Sequence, residues 1–320
     1  MRKIPTLALF AVIAATFAAP AYAQPTRVWL SGVGVDSGTC PRQSPCHTLT
    51  YAHGQVAPGG EITVMDPGGY GTLVITKAVS IVSDSGSGEA GVANFSGDLI
   101  TVNAGASDVV ILRGLVIDGL NSATGGIHFN TGAALHVQNS LIKNVRGSSG
   151  TGINFTPNAA ADLYVSDTTV INNTGFSGTG IMVKPTGAGL VRATLNRVVV
   201  EQNSAGITID GTASSGTIRA TVRDSVLSTN AGTGLWANAP SGAATGVYFV
   251  NSSSVENGTA GIYANGANAA ITLMGASIMG NNIGISSPSG GNIYSYKNNA
   301  INFNFGGDGS ILPGNVLSLN

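Results

Sequence analysis

A short motif, glycine followed by an aliphatic residue, returns at near-regular intervals between residues 126 and 285 of this 320-residue chain. Successive copies lie 23 to 28 residues apart, and each follows an alternating apolar segment, a small polar corner and an asparagine. A period in the twenties with short strands is typical of a solenoid, in which each repeat packs only on its neighbours. The copies are Gly126-Ile127, Gly152-Ile153, Gly180-Ile181, Gly206-Ile207, Gly234-Leu235, Gly261-Ile262 and Gly284-Ile285.

The composition indicates that the solenoid is built from strands and not from helices. Glycine contributes 46 residues, and only 9% of the chain is charged, against about 7% glycine and roughly a quarter charged residues in an average domain. Frequent glycine and asparagine penalise helix interiors, and 43% hydrophobic residues are too many for a disordered chain. An all-β architecture is therefore predicted. The net charge of −1, without any basic cluster, argues against nucleic acid and anionic lipid as partners.

The alternation within each repeat identifies the side chains that face inward. In Leu163-Tyr164-Val165 the outer residues are apolar and the middle one is amphipathic. Because side chains alternate across a strand, the outer pair is expected in the core and the middle residue outside. The asparagine before each glycine step marks a corner, where Asn and Gly accommodate left-handed backbone and stacked amides hydrogen-bond along the axis. These corner residues are Asn173, Asn203, Asn230, Asn257 and Asn281.

The first residues have the pattern of an export leader. Arg2 and Lys3 precede an apolar segment, and Ala21-Tyr22-Ala23 matches an A-x-A cleavage site. We predict a signal peptide over residues 1–23, cleaved after Ala23, and a secreted or periplasmic product. The alternative, a retained membrane anchor, is disfavoured because Pro20 interrupts the apolar run. The style of the leader is typical of Gram-negative bacteria, and no later stretch is apolar enough for a membrane span.

Two cysteines, Cys40 and Cys46, are the only ones in the chain. In an oxidising compartment such a close pair is expected to form a disulfide that closes a small loop. A zinc site would need further ligands, and the neighbouring His47 alone does not complete one. We expect no cofactor.

The segment after this loop resembles the opening of a known family. A short helix is predicted over residues 48–56, followed by a Pro-Gly turn, a strand, the sequence Pro67-Gly68-Gly69-Tyr70 and two further strands. Together with the repeats, this order resembles the right-handed parallel β-helix of the pectin-lyase-like superfamily. The resemblance implies an all-β, right-handed parallel β-helix with a short N-terminal capping helix. It divides the mature chain into a cap over 24–60, the β-helix over 61–304 and a covering tail over 305–320.

The same resemblance carries two expectations about function. Characterised relatives include polysaccharide lyases, hydrolases and pectin esterases, which group ionisable side chains at their active sites. The hydrolase motifs N-T-D, D-D, G-H-G and R-I-K are absent, and no two acidic residues are adjacent. We therefore expect a non-catalytic, surface-associated or carbohydrate-interacting protein, a monomer with polysaccharide as its partner. The alternative is a lyase or glycoside hydrolase that acts on an acidic polysaccharide through an atypical site.

The repeat register also predicts which charged residues stack. Asp162, Arg192 and Arg219 occupy one slot of consecutive repeats. One interpretation is an exposed ladder of ion pairs; the other is a patch in which Arg192 and Arg219 grip the carboxylate of an acidic sugar. Tyr164 and Tyr248, on outward slots, are candidates to stack on sugar rings.

A second column of alternating charge is formed by Asp167, Arg197 and Asp224. His128 and His136 lie at outward strand positions of neighbouring segments. One interpretation is a metal pair or a general base; the other is two solvated surface residues. His136 is a candidate binding residue.

Overall fold

The computed structural model describes residues 23–83, 89–176 and 178–318 and shows a parallel β-solenoid. The predicted leader therefore lies outside the described residues, except for Ala23. Each turn of the chain, here called a coil, adds one strand to each of three faces, named A, B and C in chain order. The predicted all-β solenoid with one short capping helix is confirmed.

Faces A and B share two long strands, Ala161–Ile171 and Leu190–Glu201, whose first halves belong to face A and second halves to face B. The other strands of face A are Arg27–Leu30, Gly60–Val64, Val79–Ser83, Val109–Arg113, Ala134–Gln138, Thr217–Arg223, Ala244–Val250, Ala269–Met274, Asn292–Tyr296 and Val316–Leu317. The other strands of face B are Gly68–Gly69, Ala90–Ala93, Leu115–Asp118, Leu141–Lys143, Val226–Ser228, Ser253–Val255, Ser277–Met279 and Ala300–Asn302.

Face C is a separate nine-stranded sheet. Its strands carry the glycine-aliphatic steps, and their aliphatic residues point into the core. They are Leu73–Ile75, Asp98–Asn103, Gly125–Thr131, Thr151–Phe155, Thr179–Val183, Ala205–Asp210, Leu235–Asn238, Ala260–Asn265 and Ile283–Ser286.

The core is a column of stacked aliphatic side chains inside the three faces. Leu163 and Val165 are buried and Tyr164 between them is partly exposed, as the alternation predicts. Phe129 and Phe155 stack on adjacent coils with their ring centroids 4.5 Å apart. Because each inward residue packs on its counterpart one coil away, the core continues along the whole solenoid.

The corner asparagines form a buried chain of amides between faces B and C. The side-chain amide of Asn173 donates to Oδ1 of Asn203 at 2.9 Å, and that of Asn203 donates to Asn230 at 3.1 Å. The chain continues through Asn257 and Asn281 to Asn304, and each step is 2.9 Å. Each amide oxygen also accepts a backbone N–H of the preceding coil. The amides therefore satisfy backbone groups that the turn leaves unpaired.

The residues with left-handed backbone at this corner are not the asparagines that the sequence pattern predicts. The asparagines of the amide chain do not have positive φ, whereas the residue just before each of them does. These preceding residues are Asn172, Gln202, Thr229, Glu256, Gly280 and Phe303. The amide side chain must point inward along the axis, so the preceding residue makes the turn. Glycine is required at the step for a different reason, because a Cβ at Gly206 would lie 2.3 Å from the carbonyl oxygen of Gly234.

Both ends of the solenoid are covered. The helix Leu49–Gln55 begins after Thr48, whose hydroxyl accepts the N–H of Tyr51. Cys40 and Cys46 form a disulfide with Cα atoms 5.1 Å apart. At the other end a 3-10 turn, Pro313–Asn315, leads into Val316–Leu317, which pairs with the last long strand of face A.

Within the predicted cap, strand Arg27–Leu30 pairs in register with Gly60–Val64. The first coil of face A therefore starts inside the segment 24–60. None of the helices in the part of the chain that the structure describes is long and apolar enough to cross a membrane.

Candidate functional site

Two rows of outward side chains run along face A, one position per coil. The strand register determines which residues are neighbours across coils, which lie about 4.8 Å apart. The first row is Ala134, Asp162, Arg192, Arg219, Gly246 and Ala270. The second row, two residues further along each strand, is His136, Tyr164, Thr194, Thr221, Tyr248 and Thr272.

Asp162 and Arg192 form a bidentate ion pair in the first row. Nε and Nη2 of Arg192 donate to the two carboxylate oxygens of Asp162, each at 2.7 Å. The hydrogen bonds and the negative charge of Asp162 raise the pKa of the Arg192 guanidinium. Arg192 is 59% exposed, so the pair has the geometry expected of a surface ladder.

The carboxylate of Asp162 also contacts the second row, at Tyr164. The hydroxyl of Tyr164 donates to Oδ2 of Asp162 at 3.3 Å. The ring of Tyr164 stacks on His136, with centroids 4.6 Å apart and an interplanar angle of 18°. Burial against this ring lowers the pKa of His136, and the charge of Asp162 opposes the shift. Each of these two rings therefore covers one side of the other, and neither ring is fully open to a ligand.

Arg219 is in a different state from Arg192. It is exposed and makes no hydrogen bond or ion pair with any described residue. Its neighbour in the next coil is Gly246, where even an added Cβ would meet nothing within 4 Å. Tyr248 stands beside this gap, 55% exposed. These residues line a shallow cavity of about 260 Å³ with Asn268 at its rim.

The second charged column lies at the corner between faces A and B. Arg197 donates two hydrogen bonds to Asp167, at 2.6 and 2.8 Å. These hydrogen bonds lower the pKa of Asp167. Asp224 pairs with the preceding residue, Arg223, at 3.1 Å. Each of these charges is therefore neutralised inside the protein.

His128 and His136 do not form a pair. His136 lies on face A and His128 on face C, because the chain turns a corner between them. Nδ1 of His128 contacts Oδ2 of Asp98 at 2.8 Å, and Nε2 lies 3.1 Å from the hydroxyl of Thr156.

This carboxylate–imidazole–hydroxyl chain connects three coils. The hydroxyl of Thr156 also donates to the carbonyl oxygen of Phe129 at 3.2 Å. The carbonyl thus competes with His128 for the hydroxyl proton, and an activated nucleophile requires that proton to move to the imidazole. The arrangement supports a structural link between coils.

Over residues 23–83, 89–176 and 178–318, no three histidine, cysteine or acidic side chains form a group that could hold a metal ion. His47 lies beside the disulfide, and its backbone N–H donates a hydrogen bond to Oδ1 of Asp36. His53 is buried in the helix Leu49–Gln55, where burial lowers its pKa to about 4.

Face C carries an aromatic cavity outside the candidate residues chosen from the sequence. Trp236 and Tyr263 are partners in adjacent strands, and their rings lie 6.0 Å apart at 87°. Together with small residues and two threonines they line a cavity of about 340 Å³. The repeat in the sequence could have indicated this aromatic pair. Trp236 lies two residues after Gly234, and Tyr263 lies two residues after Gly261, so both occupy the same position of consecutive repeats.

The chain matches no protein-family model, no curated protein and no solved structure.

Proposed function

We propose that this protein is a secreted, non-catalytic β-helix of the pectin-lyase-like kind that binds an acidic polysaccharide along face A. The leader over residues 1–23 directs a bacterial precursor out of the cytoplasm, and the mature chain acts as a monomer in the periplasm, in the medium or at the cell surface. The disulfide between Cys40 and Cys46 supports an oxidising compartment.

The observation that carries this proposal is the unpaired guanidinium of Arg219 beside an exposed tyrosine. The carboxylate of a uronic acid could accept two hydrogen bonds from the guanidinium of Arg219. Such charge-assisted hydrogen bonds are stronger than those between neutral groups. Tyr248 offers an aromatic face next to it, and the missing side chain of Gly246 leaves room for a sugar ring between them. Arg192 cannot bind a ligand carboxylate in this way while its Nε and Nη2 donate to Asp162.

Four carboxyl groups are unsuited to act as the general acid of a glycosidase, which needs a raised pKa so that it stays protonated near neutral pH. Burial alone would raise the pKa of Asp36, Asp66 and Asp210, but hydrogen bonds from neighbouring groups outweigh it and lower the pKa of each. The hydrogen bonds from Arg197 lower the pKa of Asp167.

The decisive experiment compares retention on immobilised polygalacturonate for the mature protein and two matched variants. Arg219→Ala removes the free guanidinium, and we expect at least a tenfold loss of affinity. Arg223→Ala removes the same charge from the same strand, but from a residue already paired with Asp224, so its retention should remain near wild type.

Two outcomes contradict the proposal. Equal losses in both variants would mean that net charge alone governs retention. New reducing ends or unsaturated products released from polygalacturonate would instead establish the lyase or hydrolase alternative.

A further inference from the structure

The cavity on face C is chemically unlike the cavity on face A. The six residues that line it are Ala205, Gly232, Thr233, Trp236, Thr259 and Tyr263. None of them is charged at neutral pH, and the two aromatic rings meet almost at a right angle. The cavity thus combines a flat apolar wall, an aromatic edge and two hydroxyl groups.

The size of the cavity limits what it can hold. At about 340 Å³ it lies at the small end of ligand pockets, which span roughly 300–1,000 Å³. One six-membered ring suits this volume better than a folded partner or a long acyl chain. Small residues on the floor keep the space open, and a Cβ at Gly232 would lie 2.7 Å from the carbonyl oxygen of Ser204.

The indole of Trp236 meets the cavity with its ring and not with its N–H. Its Nε1 is buried and finds no hydrogen-bond acceptor among the described residues. A ligand in the open cavity would therefore pack on the apolar part of the indole, and its hydrogen bonds would go to the two threonines.

We propose that this cavity binds a single neutral pyranose residue of a glycan. One side of a pyranose ring is a plane of C–H groups that packs on the indole, and its rim of hydroxyls can exchange hydrogen bonds with Thr233 and Thr259. A uronic acid is disfavoured because no cation lines the cavity, and burying an unpaired carboxylate is costly.

This site stands on observations independent of Arg219 and does not rest on the function proposed for face A. The cavities lie on different faces of the solenoid, and no residue lines both. A protein with both sites would connect an acidic chain on one side to a neutral glycan on the other.

The chain contains two tryptophans, so its own fluorescence can report binding. With Trp29→Phe as the background, all tryptophan emission comes from Trp236. Titration with cellohexaose, mannohexaose and chitohexaose should give a saturable change in emission with at least one of them. Hexagalacturonate should give a change at least tenfold weaker.

Variants test whether the signal comes from this cavity. Tyr263→Ala opens the aromatic corner and should weaken binding at least tenfold. Thr259→Val removes one exposed hydroxyl at nearly constant volume and should weaken it about three- to tenfold. Thr221→Val makes the same change on face A and should have no effect on the titration.

Three results would overturn the inference. These are no change of emission with any of the three neutral hexaoses at millimolar concentration, an equal response in Tyr263→Ala, or a stronger response to hexagalacturonate. Retention of the Tyr263→Ala variant on polygalacturonate is measured in parallel, so that failure of this site and failure of the face A site are distinguishable.

Discussion

Both carboxylate oxygens of Asp162 accept a hydrogen bond from Arg192, from Nε and Nη2, at 2.7 Å each. This pair separates two arginines that occupy the same slot of consecutive coils. Arg192 is neutralised within the protein, whereas Arg219 projects from face A with no partner among the described residues. Any electrostatic attraction of this row for an anion is therefore concentrated at Arg219.

Releasing Arg192 should create a second binding group. In Asp162→Asn the guanidinium loses its charged partner and stands one coil from Arg219. We expect retention on polygalacturonate to tighten about three- to tenfold, because a second charge-assisted contact becomes available. Stability should change by less than about 1 kcal/mol, since exposed ion pairs contribute little.

The matched control for this change is Asp167→Asn, which frees Arg197 at the corner of the face. Affinity electrophoresis should show no gain for this variant. A weaker or unchanged interaction in Asp162→Asn would contradict the role given to the row.

The amide chain should be energetically essential at each step. Asn230 donates to Val200 and Asn257 and accepts from Asn203, all inside the core. Replacing it by leucine leaves several buried groups unsatisfied, so we expect a loss on the order of 3 kcal/mol. Thr221→Leu, at an outward position, should change stability by less than about 0.5 kcal/mol. Equal urea midpoints for the two variants would show that this register is wrong.

The disulfide should stabilise the N-terminal cap. Cys40 and Cys46 close a loop with a sequence separation of 6, for which chain entropy accounts for about 2 kcal/mol. Titration of thiols in the denatured, unreduced protein should detect none. The double change to serine should lower the stability of the cap first, visible as faster amide exchange in the helix Leu49–Gln55; uniform exchange changes along the solenoid would argue against this localised effect.

His53 should make stability depend on pH in a defined window. Its Nε2 accepts the N–H of Thr76 at 3.4 Å, and burial together with the charge of Lys77 lowers its pKa to about 4. In the unfolded chain a histidine titrates near pH 6.5, so between these values the unfolded state binds more protons. Stability contributed by neutral His53 is therefore complete above about pH 6.5 and is lost as the pH falls towards 4.

We expect this loss to be on the order of 1–3 kcal/mol and to be absent in His53→Gln, which does not titrate. The carboxyl groups with lowered pKa lose their contribution only below about pH 4, outside the window. Urea unfolding of both proteins at pH 7, 6, 5 and 4.5 tests this. Parallel curves for wild type and variant would assign the dependence to other groups.

Several features follow from local sequence signals. The spacing of the glycine steps predicts the solenoid, because a repeat that cannot bury its own apolar face must stack on its neighbours. The pattern after Thr48 predicts the helix, and the alternation in Leu163-Tyr164-Val165 predicts which side chains are buried. Neighbours across coils also follow from the repeat, since parallel strands in register place Asp162 beside Arg192 and Arg192 beside Arg219.

The sequence by itself therefore determined the class of fold, the order of its coils and the rows of residues along face A. Only the tertiary structure decided what each side chain in a row does. The amide of Asn203 points inward along the axis, so left-handed backbone falls on Gln202 rather than on Asn203. The corner between faces also separates His128 from His136. A long side chain turns towards whichever neighbour its torsions and charge allow, and this choice pairs Arg192 and leaves Arg219 free.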